Sequence, residues 1–235
     1  MIDFDFMMEA FPKILLAIPV TIGISLAAAA LGWIFGLFIA LVRKYKVPVL
    51  SQILAVFVSF MRGVPLIILL YISYYALPIL FYDYGQSIGI TIDVTKIPAV
   101  AYAILALMLD QAAYSSEVFR SALGAVDEGQ MEAAYSVGMT RMQGLTRIVF
   151  PQAFAVAMPN LGGLFVGLIK GTALAYYVGV YEIMATASLL AQPSYSYIEA
   201  YIMTTMIYEV ISFVVNKLFH SGEIRLKKFR TGIAG

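Results

Sequence analysis

The chain has 235 residues, of which 62% are apolar and only 12% charged, and its mean hydropathy is +0.89, far outside the range of a soluble globular domain. A net charge of +1 excludes the basic footprint that nucleic-acid binding needs. With no cysteine and a single histidine, His220, disulfide frameworks, thiolate metal sites and Ser-His chemistry are excluded too.

The composition predicts an all-α polytopic membrane protein, a single transmembrane domain over residues 1–235. Its start, MIDFDFMMEAFPK (1–13), carries Asp3, Asp5 and Glu9 where a secretory signal needs positive charge, so it reads as a retained amphipathic lead-in. An uncharged run over 14–42 exceeds the about 20 residues that cross a bilayer and gives span one, closed by RKYK at 43–46. Residues 47–82 contain Arg62 and are punctuated by Pro48, Pro65 and Pro78. At about 1.5 Å per residue this stretch is too long for one straight crossing and tight for two. Spans three, four and five come at 97–119, 148–181 and 198–216, before a polar tail over 217–235.

Charge sorting resolves the ambiguous stretch. If 47–82 crosses once, three basic segments share one side: Arg43, Lys44 and Lys46; Arg120, Arg141 and Arg147; and Arg225, Lys227, Lys228 and Arg230 of the tail. The opposite loops then hold Lys96 alone, as the positive-inside rule requires. Five spans are therefore expected, amino terminus out and carboxyl terminus in, with a kink between Arg62 and Pro65.

This places residues 120–151 in the cytoplasm as a loop longer than a helix hairpin needs. Ala133, Ala134, Val137, Met139 and Met142 give apolar positions at helical spacing, while Glu128, Glu132, Arg141 and Arg147 stay polar. Gly138 divides the segment into two short pieces, and Pro151 is expected to stop the second of them. Such an element either docks into a groove on a soluble partner or lies on the bilayer interface.

The spacing Glu132-Ala133-Ala134, Gly138, Ile148, Pro151 resembles the EAA loop of the membrane subunits of bacterial ABC importers, with Phe150 where that family usually has Leu. Three further stretches are similar to the polar amino acid permeases of the histidine/glutamine type: FMRGVPLIILL (60–70), AAYSSEVFRSAL (112–123) and LIKGTALAYYVGV (168–180). Gly171 and Ala173 depart from the usual Asp and Ser of the last stretch, so an acidic group near Lys170 is missing. The resemblance implies a permease paired with a second copy, with two cytoplasmic ATP-binding subunits and an extracellular substrate-binding protein as partners. It makes Glu132, Ala133, Ala134, Gly138, Arg141, Arg147, Ile148 and Pro151 the ATPase-coupling residues. The chain has no phosphate-cradling G-x-x-x-x-G-K-[ST] loop, so ATP and Mg belong to the partner ATPase, with no cofactor expected on this chain. A passive channel or an intramembrane enzyme is the alternative class.

Ionisable groups inside spans normally face a cavity or a partner. Asp110 lies about 15 Å from the Arg120 end of span three, and Lys170 lies at a similar depth if span four restarts at Pro159. The two charges suit the ammonium and carboxylate of an amino acid, or else pair with each other; Gln111, Tyr114 and Thr172 add neutral hydrogen-bonding groups near that level. Arg62, with Gly63 and Pro65, either satisfies carbonyls freed at the kink, or gates the path or contacts the substrate carboxylate. Glu117 is expected to pair with Arg120 at i, i+3. The spacing Gly163-x-x-x-Gly167 suits close packing of a neighbouring helix. Because only one acid is available, a neutral substrate is favoured over a dibasic one, with cystine the leading candidate.

Overall fold

The computed structural model describes residues 2–89 and 93–232, with side chains to residue 226 except residue 95. Residues 90–92 of the outer loop, and the side chains of Lys227, Lys228 and Arg230 in the basic tail, lie outside the described set. Among the described residues the fold is all helix, with no strand. Helix α1 (Phe4–Leu15) leads into α2 (Ile18–Lys44), followed by α3 (Leu50–Gly63), α4 (Leu66–Tyr71) and α5 (Leu77–Ser87). Then come α6 (Ala99–Gly124), two short helices α7 (Gly129–Ser136) and α8 (Arg141–Gly144), the long α9 (Phe150–Gly171), α10 (Ile183–Ala191) and α11 (Tyr197–Gly232).

Five helical stretches are long and apolar enough to cross a membrane: Ile18–Lys44, Leu66–Ser87, Ala99–Gly124, Arg141–Val178 and Tyr197–Leu226. The expected five candidate spans are present, and within the ambiguous second stretch only the run from Leu66 is long and apolar enough to cross, Leu50–Gly63 being shorter. Its break falls where expected: α3 ends at Gly63, Val64 is extended (φ −92°, ψ 130°), and α4 starts after Pro65. The proline ring disfavours a helical conformation for the residue before it, which is why Val64 leaves the helix.

Proline does not act alike elsewhere. Pro151 does not stop a helix; it sits in the first turn of α9, inside a helical run that begins at Arg141. A π turn over Leu145–Val149 immediately precedes it, and the wider turn makes room for a ring that would otherwise strike the carbonyl four residues back. The same arrangement recurs in span two, where a π turn over Ile72–Ala76 precedes Pro78 in α5. Nor does span four break at Pro159, which lies inside the continuous α9. In a lipid setting an interrupted helix would leave several backbone groups without partners, whereas an intact helix with proline loses one.

The scaffold is organised around α2 and α6. Gly32 and Gly36 of α2 let the two backbones meet: a Cβ on Gly32 would lie 2.7 Å from Gln111 Cβ, and one on Gly36 would strike Ser115 Oγ. Small residues of this kind are what permit close helix approach where lipid supplies no hydrophobic drive. Trp33 of α2 then packs edge-on against Phe165 of α9 (6.1 Å) and Phe219 of α11 (6.2 Å). The end of span five continues as helix beyond residue 216, and Phe219 fills the space over Gly162.

Candidate coupling face and intramembrane polar site

The stretch linking spans three and four folds as two short helices because each has its own stop and start signal. Gly138 ends α7 with φ +81°, and the backbone N–H groups of Gly138 and Met139 donate to the carbonyls of Tyr135 (3.0 Å) and Ala134 (3.0 Å). These are the two bonds of a Schellman C-cap, which needs the left-handed conformation that glycine adopts freely. Thr140 then starts α8: its hydroxyl accepts from the Gln143 N–H (3.3 Å), and its own N–H donates to the Gln143 side chain (2.8 Å). The residues T-R-M-Q at 140–143 carry this capping box in the sequence itself, a start signal that the apolar spacing alone does not reveal.

Ala134 is buried against Gly144, where an added Cβ would approach it to 3.3 Å. Glu132, Ala133, Tyr135 and Val137 are exposed, a largely apolar surface with an acid at its edge and nothing over it among the described residues. Arg147 is exposed, Ile148 half-buried, and Arg141 lies over the Tyr45 ring at 4.4 Å from its centroid. A cavity of about 300 Å³ opens beside α7, lined by Lys44, Tyr45, Asp127, Glu128, Met131 and Arg141 among others.

Within the bundle the polar residues fall into three groups. At the first, the Arg62 guanidinium stands over the Tyr114 ring (5.3 Å) and the Tyr114 hydroxyl donates to the Arg62 carbonyl at 3.5 Å. It is Tyr114, not the Arg62 side chain, that reaches a carbonyl at the Gly63–Pro65 break. Asp110 lies one helical turn from Tyr114 on the same face of α6. Gln111 is buried against α2, and its Oε1 has no partner. Thr172 is fully buried and its hydroxyl donates to the Ile169 carbonyl (2.7 Å).

The second group corrects the expected pairing of Lys170. Its ammonium donates to Glu209 of α11 at 2.7 Å, not to Asp110, and both side chains are about half exposed. Along the same side of α9, Asn160, Gly163 and Gly167 are exposed as well, and nothing lies within 4 Å of a Cβ added at either glycine. The spacing Gly163-x-x-x-Gly167 suits a packed helix, yet among the described residues it packs against nothing.

No motif marks the third group. Glu182 caps α10, accepting from the Ala185 N–H (3.0 Å), and is fully buried. Its other oxygen accepts from Tyr208 of α11 (2.5 Å) and Thr21 of α2 (3.4 Å), while Thr21 Oγ accepts from the Ile183 N–H (3.3 Å). Three segments remote in sequence are thereby tied at one carboxylate. Glu199 is likewise engaged, accepting from the Asp3 N–H of the lead-in at 3.0 Å. Among the described residues no group of three or more His, Asp or Glu could hold a metal.

Comparison with known proteins agrees with this arrangement. Over 217 residues the chain is 41% identical to the probable amino-acid permease protein YxeN of Bacillus subtilis (strain 168), covering 92% of each chain. It is 34% identical to the L-cystine transport system permease protein TcyL of the same organism, over 98% of this chain and 94% of that one. Its fold superposes with a TM-score of 0.79 on a chain from the crystal structure of an amino acid ABC transporter with histidines, at 28% identity, covering 96% of this chain and 99% of the other. Residues 32–221, from the Gly32 contact of α2 through α11, match the family described as the binding-protein-dependent transport system inner membrane component, and the chain belongs to that family.

Proposed function

We propose that this chain is the membrane-spanning subunit of an ATP-driven amino acid importer, working as a pair of identical copies. The observation that carries this reading is the polar, small-residue side of α9 and α11, Asn160, Gly163, Gly167, Lys170 and Glu209, left exposed inside apolar spans. Charged and amide groups facing lipid are strongly disfavoured, so such a side faces water or protein. Two copies placed with these sides together cover Lys170 and Glu209 between them and enclose a path beside the pair. The amino terminus faces outwards, where an extracellular binding protein delivers substrate, and α7–α8 face the cytoplasm, where two ATPase subunits holding ATP and Mg bind.

Along the path, Asp110 offers a carboxylate to the substrate ammonium, and Arg62, standing over Tyr114, offers a guanidinium to its carboxylate. Gln111 and Thr172 act by holding α6 and the end of α9 in place, each being buried in helix contacts. Cystine, with an ammonium and a carboxylate at each end, is the proposed substrate; likeness to TcyL supports it. Uptake of radiolabelled cystine into proteoliposomes, competed by a panel of neutral and basic amino acids, tests both levels of the reading. ATP-dependent uptake of any labelled amino acid sustains the importer, and absence of cystine uptake beside uptake of another amino acid removes only the substrate.

A further inference from the structure

The carboxyl end of α2 reads Arg43-Lys44-Tyr45, and all three side chains are engaged with other elements. Arg43 forms an ion pair with Glu117 of α6, which also holds Arg120 at 2.8 Å. Lys44 donates to the carbonyl of Leu123 at 2.7 Å, placing a cation at the carboxyl end of α6, where the helix dipole favours it. The first two residues thus fasten α2 to α6. Tyr45 reaches instead to the α7–α8 unit, through the ring contact with Arg141.

Two features make that contact more than surface decoration. A cavity of about 300 Å³ lies between the end of α2 and α7, and the Tyr45 ring and Arg141 guanidinium, in contact with each other, both stand in its wall. Immediately after Tyr45 the backbone is strained: Lys46 has φ +50° and Val49 φ +63°, left-handed values that a β-branched residue rarely adopts. Helix α3 begins at the next residue, Leu50, and runs to the Gly63–Pro65 break beside Arg62. A push on Arg141 would therefore meet α2 at the head of a strained joint that leads to the polar site.

We propose that Tyr45 is a positioning residue of the transport cycle, which receives displacement of α8 through the Arg141 contact and passes it to the joint at Lys46–Val49 and so to α3. The inference rests on the reading of α7–α8 as the ATPase contact. A chain without native cysteine allows each step to be followed by one label.

The test uses the permease in complex with its co-purifying ATPase subunits, carrying an environment-sensitive fluorophore at Ser136→Cys on α7 or at Ser51→Cys on α3, with ATP, Mg and vanadate as the probe. In the otherwise unchanged chain both labels are expected to respond. Tyr45→Leu is expected to cut the Ser51 response about two- to fivefold, the range that an exposed cation–ring contact carries, while the Ser136 response stays whole. Tyr45→Phe, which keeps the ring, is expected to restore the Ser51 response. An undiminished Ser51 response in Tyr45→Leu overturns the proposal while leaving the ATPase contact standing. Silence of Ser136 in the unchanged chain overturns the ATPase contact itself, and the proposal with it.

Discussion

Lys170 and Glu209 meet at 2.7 Å across α9 and α11, and both remain open to their surroundings although each lies within an apolar span. An exposed pair contributes about 1 kcal/mol or less, whereas breaking a covered pair costs about 3–5 kcal/mol because one charge is left without a partner. Lys170→Met is therefore expected to lower the melting temperature slightly in isolated subunits and strongly in the paired permease. Adding Glu209→Gln is expected to recover most of the loss. Equal melting of the single and double variants in the assembled transporter counts against a covered pair.

Gly138 supplies the left-handed residue of a helix cap, with open space around it. Gly138→Ala is expected to cost about 1–2 kcal/mol from backbone strain alone, since no neighbour would clash. Gly138→Asp adds charge on the exposed side and is expected to abolish both uptake and stimulated ATP hydrolysis while the protein still inserts. Normal stimulated hydrolysis in that variant would remove α7–α8 as the ATPase contact.

The topology gives opposite accessibility to two serines. Ser87, the last residue of α5, is expected outside, and Ser136, the last residue of α7, inside. A membrane-impermeant maleimide applied to intact cells is expected to label Ser87→Cys and to reach Ser136→Cys only after permeabilisation. The reverse pattern inverts the orientation.

Gly36 admits no side chain without displacing α6, since an added Cβ would sit 2.9 Å from the Ala112 carbonyl as well as against Ser115 Oγ. Gly36→Val is expected to destabilise the subunit by about 1–3 kcal/mol, the usual cost of overpacking a close contact. Gly23→Ala, at a position with nothing within 4 Å, is the control expected to change melting little. Similar melting of the two variants would argue against the α2–α6 contact.

Sequence reveals most readily the features that depend on one segment at a time. Runs of apolar residues mark the five spans, the basic clusters point to the single crossing of 47–82, and Pro65 marks its break, because each effect acts within a few residues. Lateral relationships are hidden. Counting along span four places Lys170 near Asp110 in depth, but only packing reveals that α11 brings Glu209 within 2.7 Å. The knot at Glu182 joins Thr21, Tyr208 and the start of α10, contacts separated by up to 162 residues and marked by no motif. Pro151 and Pro159 look like stops because proline's local effect shows in the sequence, whereas the surroundings that accommodate the ring, a π turn before Pro151 among them, do not.

The two π turns have a consequence for angular phase. Each holds one residue more than the α-helical repeat, so everything beyond it is turned by about 100° relative to an uninterrupted helix. In span four the turn over Leu145–Val149 separates Arg141, aimed at Tyr45, from Asn160, Gly163, Gly167 and Lys170, on the exposed side deeper in the span. Contact at one end and exposure further along are thus set to independent headings by a single extra residue. Removing one residue there would leave length and hydropathy almost untouched and point one of the two surfaces the wrong way.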